Sequence, residues 1–190
     1  MRKKIVVGVT GASGSAYAFA ALTALRGPDV DVHLIMTRQA QRTLEIETRY
    51  TPADFAALAD VVHEDDDLAA SVSSGSFLHD GMLVIPCSMR SAAAIAYSLN
   101  DNLLVRAADV CLKERRRLVL VVRETPLHLG HLRTLTRLAE IGAVILPPIP
   151  AMYANPRSVE DVVDAGGNYL IVRKRPGEPQ DVAAETDPRS

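Results

Sequence analysis

Within Asp101–His131, the cations Arg106, Lys113, Arg115, Arg116, Arg117 and Arg123 crowd around one apolar run, Leu118–Val122. Arg106 and Lys113 are seven residues apart, which is two turns of an α-helix, so a helix there projects both from one side. Leu103, Ala107, Val110 and Cys111 fall near one apolar face of the same helix. Arg123 and Glu124 read either as a surface ion pair or as a ligand contact beside a carboxylate able to handle a proton, and their place at the end of a buried strand favours the second. Cations converging beside a strand end suit a phosphate. A solvated basic helix face has the same composition, and charge alone leaves the two readings open.

Two further stretches carry chemistry at the start of a helix. Gly8-x-x-Gly11-x-x-Gly14 follows an apolar run and precedes an Ala-rich one. Glycines let backbone approach a phosphate closely, and the free N–H groups of a helix start favour its charge. No Gly-Lys-Ser/Thr follows, so this is not a Walker A loop. A dinucleotide loop with Arg38 facing a 2′-phosphate, a cradle for a flavin mononucleotide, and an empty tight turn all remain open. Pro86-Cys87-Ser88-Met89-Arg90-Ser91 offers hydroxyls and amides at another helix start, and a plain serine N-cap has the same form. Cys87 lacks a neighbouring His or Asn and is a poor candidate nucleophile. His128 and His131 are three apart with no third ligand, which points to helix surface or core rather than a metal site. Glu64-Asp65-Asp66-Asp67 reads as a solvated loop with a helix cap.

The elements that must position these groups alternate regularly. Lys4–Val9, Val30–Met36, Met82–Pro86, Leu118–Val122 and Ala143–Leu146 read as strands. Between them, helices are expected after Gly14, over Gln39–Glu47, from Thr51-Pro52 (cap and first position), after Ser88, across Leu103–Lys113 and over Leu127–Glu140. Ser158–Val163 begins a last helix; His63–Asp67 and Ser71–Gly75 are expected as loops. This alternation predicts an α/β three-layer sandwich with a mostly parallel sheet, and ligands in such folds sit beyond the carboxyl ends of the strands. Thr10–Ser13, Thr37, Ser88–Ser91 and Arg123–Glu124 should therefore line one crevice.

The 190 residues suffice for one domain with a sizeable core; 48% hydrophobic and 23% charged residues are ordinary for a globular protein. A net charge of −2 and 4% aromatics argue against general nucleic-acid binding. No apolar run approaches the roughly 20 residues that span a bilayer. Cys87 and Cys111 lie in apolar segments, as buried thiols do, and a cytoplasmic location is expected. The domain is expected to end near residue 172. Residues 173–190, rich in Pro, Gly and charge, suit a flexible or partner-ordered tail.

Taken together, TGASG, Glu47 before Thr48, SSGSF, PCSM, DNLLVRAADVCLKERR, RETPL, GAVILPPIPAMY and SVEDVVD resemble the flavin prenyltransferase family, the UbiX-like flavoproteins formerly described as aromatic acid decarboxylases. The resemblance runs over roughly Lys4–Asp164. It implies a flavodoxin-like or Rossmann-like sandwich binding FMN at subunit interfaces of a homo-oligomer, commonly a dodecamer. It also implies metal-independent transfer of a dimethylallyl group from dimethylallyl phosphate to reduced FMN, at N5 and then C6. The prenylated FMN then serves a UbiD-like decarboxylase. By position, Gly11, Ala12, Ser13, Thr37, Ser88, Met89, Arg90, Ser91 and Arg123 are expected to hold FMN. Arg106, Lys113, Arg123, Tyr153 and Tyr169 are expected around the prenyl phosphate, and Ser13, Glu47 and Glu124 are the expected catalytic groups.

The chain departs from the family at its last helix. Tyr169, preceded by Gly166-Gly167-Asn168, stands where a basic residue is usual, and it offers one hydrogen bond without a guanidinium's charge or fork. The tryptophan some members carry in the tail is absent. These departures keep an FMN carrier or assembly subunit as an alternative. A cysteine decarboxylase of the same fold is a second, although PCSMRS stands where that class has a PASANT-like segment. An NADPH oxidoreductase ranks last, since no Tyr-x-x-x-Lys pair follows Tyr97.

Overall fold

The computed structural model describes residues 2–150 and 152–163. Among these, six strands form one sheet: β1 (Lys3–Val9), β2 (Val30–Met36), β3 (Val61–Glu64), β4 (Gly81–Cys87), β5 (Arg117–Val122) and β6 (Val144–Ile145). Their order is β3-β2-β1-β4-β5-β6, and every neighbouring pair is parallel, so the sheet is wholly rather than mostly parallel. The helices are α1 (Ser15–Leu25), α2 (Arg38–Glu47), α3 (Pro52–Ala56), α4 (Met89–Ala96), α5 (Leu103–Lys113) and α6 (Leu129–Glu140).

Successive strand side chains point to opposite faces, and both faces are apolar because helices cover both. Val7, Val9, Val32 and Leu34 pack with Leu22 of α1 and Phe55 of α3. Val6, Met82, Val84, Leu118 and Leu120 face the other way, against Ile95 of α4, Leu104 of α5 and Leu138 of α6. Burying each such Val or Leu fully contributes about 1.5–3 kcal/mol. The result is the three-layer, flavodoxin-like and Rossmann-like α/β sandwich. Strand order reverses between β1 and β4, so a crevice opens over their carboxyl ends.

The edges differ from expectation. Part of the anticipated loop His63–Asp67 belongs to β3, an edge strand whose Val61 and Val62 are exposed. Four residues with an exposed apolar pair carry no inward-outward alternation to read. The strand is tied to β2 by backbone pairing and by His33 Nδ1 and His63 Nε2, 3.0 Å apart. The strand expected over Ala143–Leu146 shortens to two residues, and the helix expected from Leu127 begins at Leu129, where the His128 ring caps it through the Gly130 and His131 amides. Residues 159–163 are helical, capped by Ser158. Gly166, Gly167, Tyr169 and the expected 173–190 tail lie outside the described residues. No helix among the described residues is long and apolar enough to cross a membrane.

Candidate active site

A cleft of about 800 Å³ opens at the switch point, over the ends of β1, β2 and β4. Five of the expected cofactor residues line it: Gly11, Thr37, Ser88, Arg90 and Ser91. Thr37 and Ser88 are there because each caps a helix that starts at a strand end. Thr37 Oγ1 accepts the Ala40 amide (3.1 Å), and Ser88 Oγ accepts the Ser91 amide (3.2 Å). The first-turn amides of Met89 and Arg90 have no acceptor within the helix and remain for a ligand. The Met89 side chain itself is packed in the core, so only its backbone is left to the site. Arg90 is held across the mouth by Asp101 (2.7 Å).

The glycine loop is built differently from a phosphate cradle. Helix α2 lies along it: Thr43 Oγ1 donates to Gly11 O (3.3 Å), and at the far end Glu47 Oε2 accepts the Gly14 and Ser15 amides (2.9 and 3.1 Å). Helix α2 comes so close that a Cβ on Gly11 would fall 2.6 Å from Gln39 Cβ. Gly14, at φ +115°, turns the chain into α1. The amides at the start of α1 thus serve a carboxylate of the chain itself. Partial burial pushes the Glu47 carboxyl up, but hydrogen bonds from the Ser13 hydroxyl and the two amides outweigh it, holding the carboxyl below the ordinary glutamate range. Ala12 and Ser13 sit in this loop beside the cleft rather than on its lining.

Arg123 and Glu124 lie exposed just past β5, with the Arg123 amide on Cys87 O (3.2 Å). Arg106 and Lys113 share one side of α5, as their spacing requires, but they do not enter the cleft of their own chain. Arg106 Nε donates to Ser73 O (3.1 Å), and the Lys113 ammonium pairs with Glu114. Helix α5 starts at the cleft, where Asn102 lines the wall. Eleven residues at 1.5 Å each carry Lys113 about 16 Å away along the helix. Tyr153 stands 87% exposed in the turn Met152–Ala154. Thr10, Gly11, Thr37, Ser88, Arg90 and Ser91 of the expected crevice thus share one cleft, while Arg106 and Lys113 form a separate cluster on α5.

Several working interactions were not legible beforehand, including that of Thr10, expected only as a residue of the crevice. Thr10 is buried; its hydroxyl donates to Pro86 O (2.7 Å) and accepts the Ser88 amide (2.8 Å), locking the ends of β1 and β4 together. Asp65, expected in a solvated loop, is half-buried. It accepts Asn102 Nδ2 (3.0 Å) and the Leu104 amide (3.2 Å), fixing the start of α5, and burial pushes its carboxyl up despite these bonds. Glu64 and Asp66 join it on the cleft wall. Arg116, one of the cations crowded around Leu118–Val122, clasps the carbonyls of Gly75 (2.7 Å) and Phe77 (2.8 Å). Cys87 is fully buried, and burial pushes its thiol up to about 12, which removes it as a nucleophile.

Comparison with known proteins agrees with this architecture. The Flavoprotein family model matches residues 1–168. The flavin prenyltransferase UbiX of Escherichia coli K12 is 52% identical over 170 residues, covering 89% of this chain and 90% of that protein. A crystal structure of AnUbiX in complex with FMN and dimethylallyl pyrophosphate superposes with a TM-score of 0.88 at 50% identity, covering 90% of this chain and 91% of the other. The dodecameric FMN-dependent UbiX-like decarboxylase from Escherichia coli O157:H7 also gives 0.88, at 47% identity and with 90% and 93% covered. Matched from end to end of its described fold, the chain belongs to the flavoprotein family, within the flavin prenyltransferase group.

Proposed function

We propose that this protein is a flavin prenyltransferase, moving a dimethylallyl group from dimethylallyl phosphate to FMN in a homo-oligomer whose sites draw on two copies. The cleft at the switch point carries the reading. Its volume lies in the range of small-molecule sites, and the α4 amides, Ser88, Ser91, Thr37 and Arg90 offer a single phosphate both hydrogen bonds and charge. The phosphate falls at α4 rather than at α1, whose first amides Glu47 already occupies. Gly11, Ala12, Ser13 and Arg123 flank the remainder of the cofactor. Bound and reduced, FMN supplies the electron-rich ring that accepts the allyl group.

The chain's own groups do the rest. Breaking the allylic C–O bond places charge on the departing phosphate, and Arg106, Lys113 and Arg123 stabilise it, with Tyr153 as a further contact; Tyr169, outside the described residues, is assigned the same role from its place in the sequence alone. Glu47, kept ionised by the Ser13 hydroxyl and two amides, and Glu124, a second carboxylate just past β5, are the groups that position reacting atoms and move protons. Arg106 and Lys113 serve the cleft of a neighbouring copy. The roughly 16 Å along α5 between Lys113 and its own cleft supports this, as does the dodecameric assembly of the Escherichia coli O157:H7 relative. The product passes to a UbiD-like decarboxylase. Two free buried thiols fit a reducing cytoplasm.

The decisive experiment incubates purified protein with reduced FMN and dimethylallyl phosphate, followed by mass analysis of the flavin. A five-carbon adduct is expected. Bound FMN without an adduct would overturn the transferase reading in favour of a carrier.

A further inference from the structure

The ridge of α5 contains a carboxylate that the reaction itself does not call for. Asp109 lies one turn after Arg106 and is only 20% exposed. Its Oδ2 accepts Arg106 Nη1 (3.2 Å) and Asn100 Nδ2 (3.0 Å), while its Oδ1 accepts the Ser98 hydroxyl (2.8 Å). Ser98 and Asn100 belong to the turn joining α4 to α5, and Ser98 holds a left-handed backbone, φ 53°. A non-glycine residue pays a conformational penalty for that backbone, so the turn is fixed by surrounding contacts.

Arg106 is thereby gripped on one edge. Nε is taken by Ser73 O and one Nη1 hydrogen by Asp109, which leaves three of the five guanidinium hydrogens. A planar fork held by two bonds has little freedom to rotate, so the remaining hydrogens keep one direction. Because Ser98 and Asn100 share the same carboxylate, Asp109 is itself fixed by a second element. An exposed arginine without such a brace would lose side-chain freedom on meeting an anion.

Resting on the reading that Arg106 contacts the prenyl phosphate, we propose that Asp109 is a positioning residue for donor binding. It sets the plane of Arg106 before the phosphate arrives, and it ties that plane to the α4–α5 turn. Asp109 touches neither donor nor flavin.

The test measures donor KM, kcat, FMN affinity and melting temperature for the assembled enzyme and its variants. Asp109→Asn is expected to raise donor KM about tenfold, the scale of one charge-assisted hydrogen bond. FMN affinity should stay within about twofold, since a structural failure would move both. Ser98→Ala, which loosens Asp109 without touching Arg106, is expected to raise donor KM about two- to threefold by the same logic. Unchanged donor KM in Asp109→Asn, beside a large rise in Arg106→Ala, overturns the proposal while sparing the reading beneath it. Unchanged donor KM in Arg106→Ala overturns both. If Asp109→Asn fails to assemble, Ser98→Ala decides: a raised donor KM at unchanged FMN affinity supports the proposal, and wild-type KM overturns it.

Discussion

The cleft over β1 and β4 and the ridge of α5 hold their polar groups in opposite ways. In the cleft, hydroxyls and one carboxylate are committed to backbone amides: Thr37 to Ala40, Ser88 to Ser91, Thr10 to Ser88, Glu47 to Gly14 and Ser15. Each partner is part of the fold, so the geometry exists before any ligand arrives. On the ridge, long cations lean on loop carbonyls and neighbouring acids, as Arg106 does on Ser73 and Asp109 and Lys113 on Glu114. The cleft's geometry is thus set by the fold, whereas on the proposed reading the ridge's cations serve the cleft of another copy.

That contrast is broken or sharpened by four measurements, the first with the largest effect. Glu47→Gln and Lys113→Ala should each lower activity about 100-fold, the usual scale for removing one charge-stabilising group. Co-assembled, the two defective proteins should recover about a quarter of wild-type activity, because each site at a heterologous interface draws its halves independently. No recovery would mean that one chain supplies both groups. Second, the same substitution should behave differently in the two regions. Gly11→Ala drives a Cβ into Gln39 on packed α2 and should cost about 1–3 kcal/mol in denaturant unfolding. Gly75→Ala meets only the movable ends of Glu114 and Lys113 and should cost under about 0.5 kcal/mol. Equal costs would erase the distinction between a rigid glycine loop in the cleft and the yielding Lys113–Glu114 end of the ridge.

Third, Ser88→Ala removes the cap of α4 and should cost about 1 kcal/mol. It should also weaken FMN binding without changing donor KM, which a titration of flavin fluorescence and a donor rate curve resolve. Fourth and smallest is a pH effect. Glu47 titrates lower folded than unfolded, so its stabilisation is full above the ordinary glutamate value of about 4.3 and is lost as pH falls through the folded value. Wild type should lead Glu47→Gln at neutral pH, and the gap should close below that value. A gap independent of pH would show that Glu47 acts through shape rather than charge.

What could be read from the chain divides along local and distant causes. β1, β4 and β5 announced themselves as short apolar runs, and the caps at Thr37, Thr51, Ser88 and Ser158 follow from residue type just before a helix. The two-turn spacing of Arg106 and Lys113 correctly placed them on one side of α5. The separation of Lys113 from the cleft was not legible, because it depends on which end of α5 the fold turns toward the strand ends. The same holds for Glu47, whose target lies 33 residues away at Gly14. Asp65 is another case: its bond to the Leu104 amide spans 39 residues and turns an apparent acidic loop into an anchor. Thr10 and Arg116 likewise act on segments distant in sequence, and no periodicity encodes such partners.

The two buried cysteines give each region its own clock. Cys87 closes β4 directly beneath the cleft, and Cys111 lies inside α5 beneath the ridge, with burial pushing their thiols up to about 12 and about 11. Neither can react with a thiol reagent until its surroundings open and admit water. The rate at which each becomes labelled therefore times the opening of one half-site. Saturating FMN should slow the clock at Cys87 more than the one at Cys111, so the chain reports from within which half a ligand has closed.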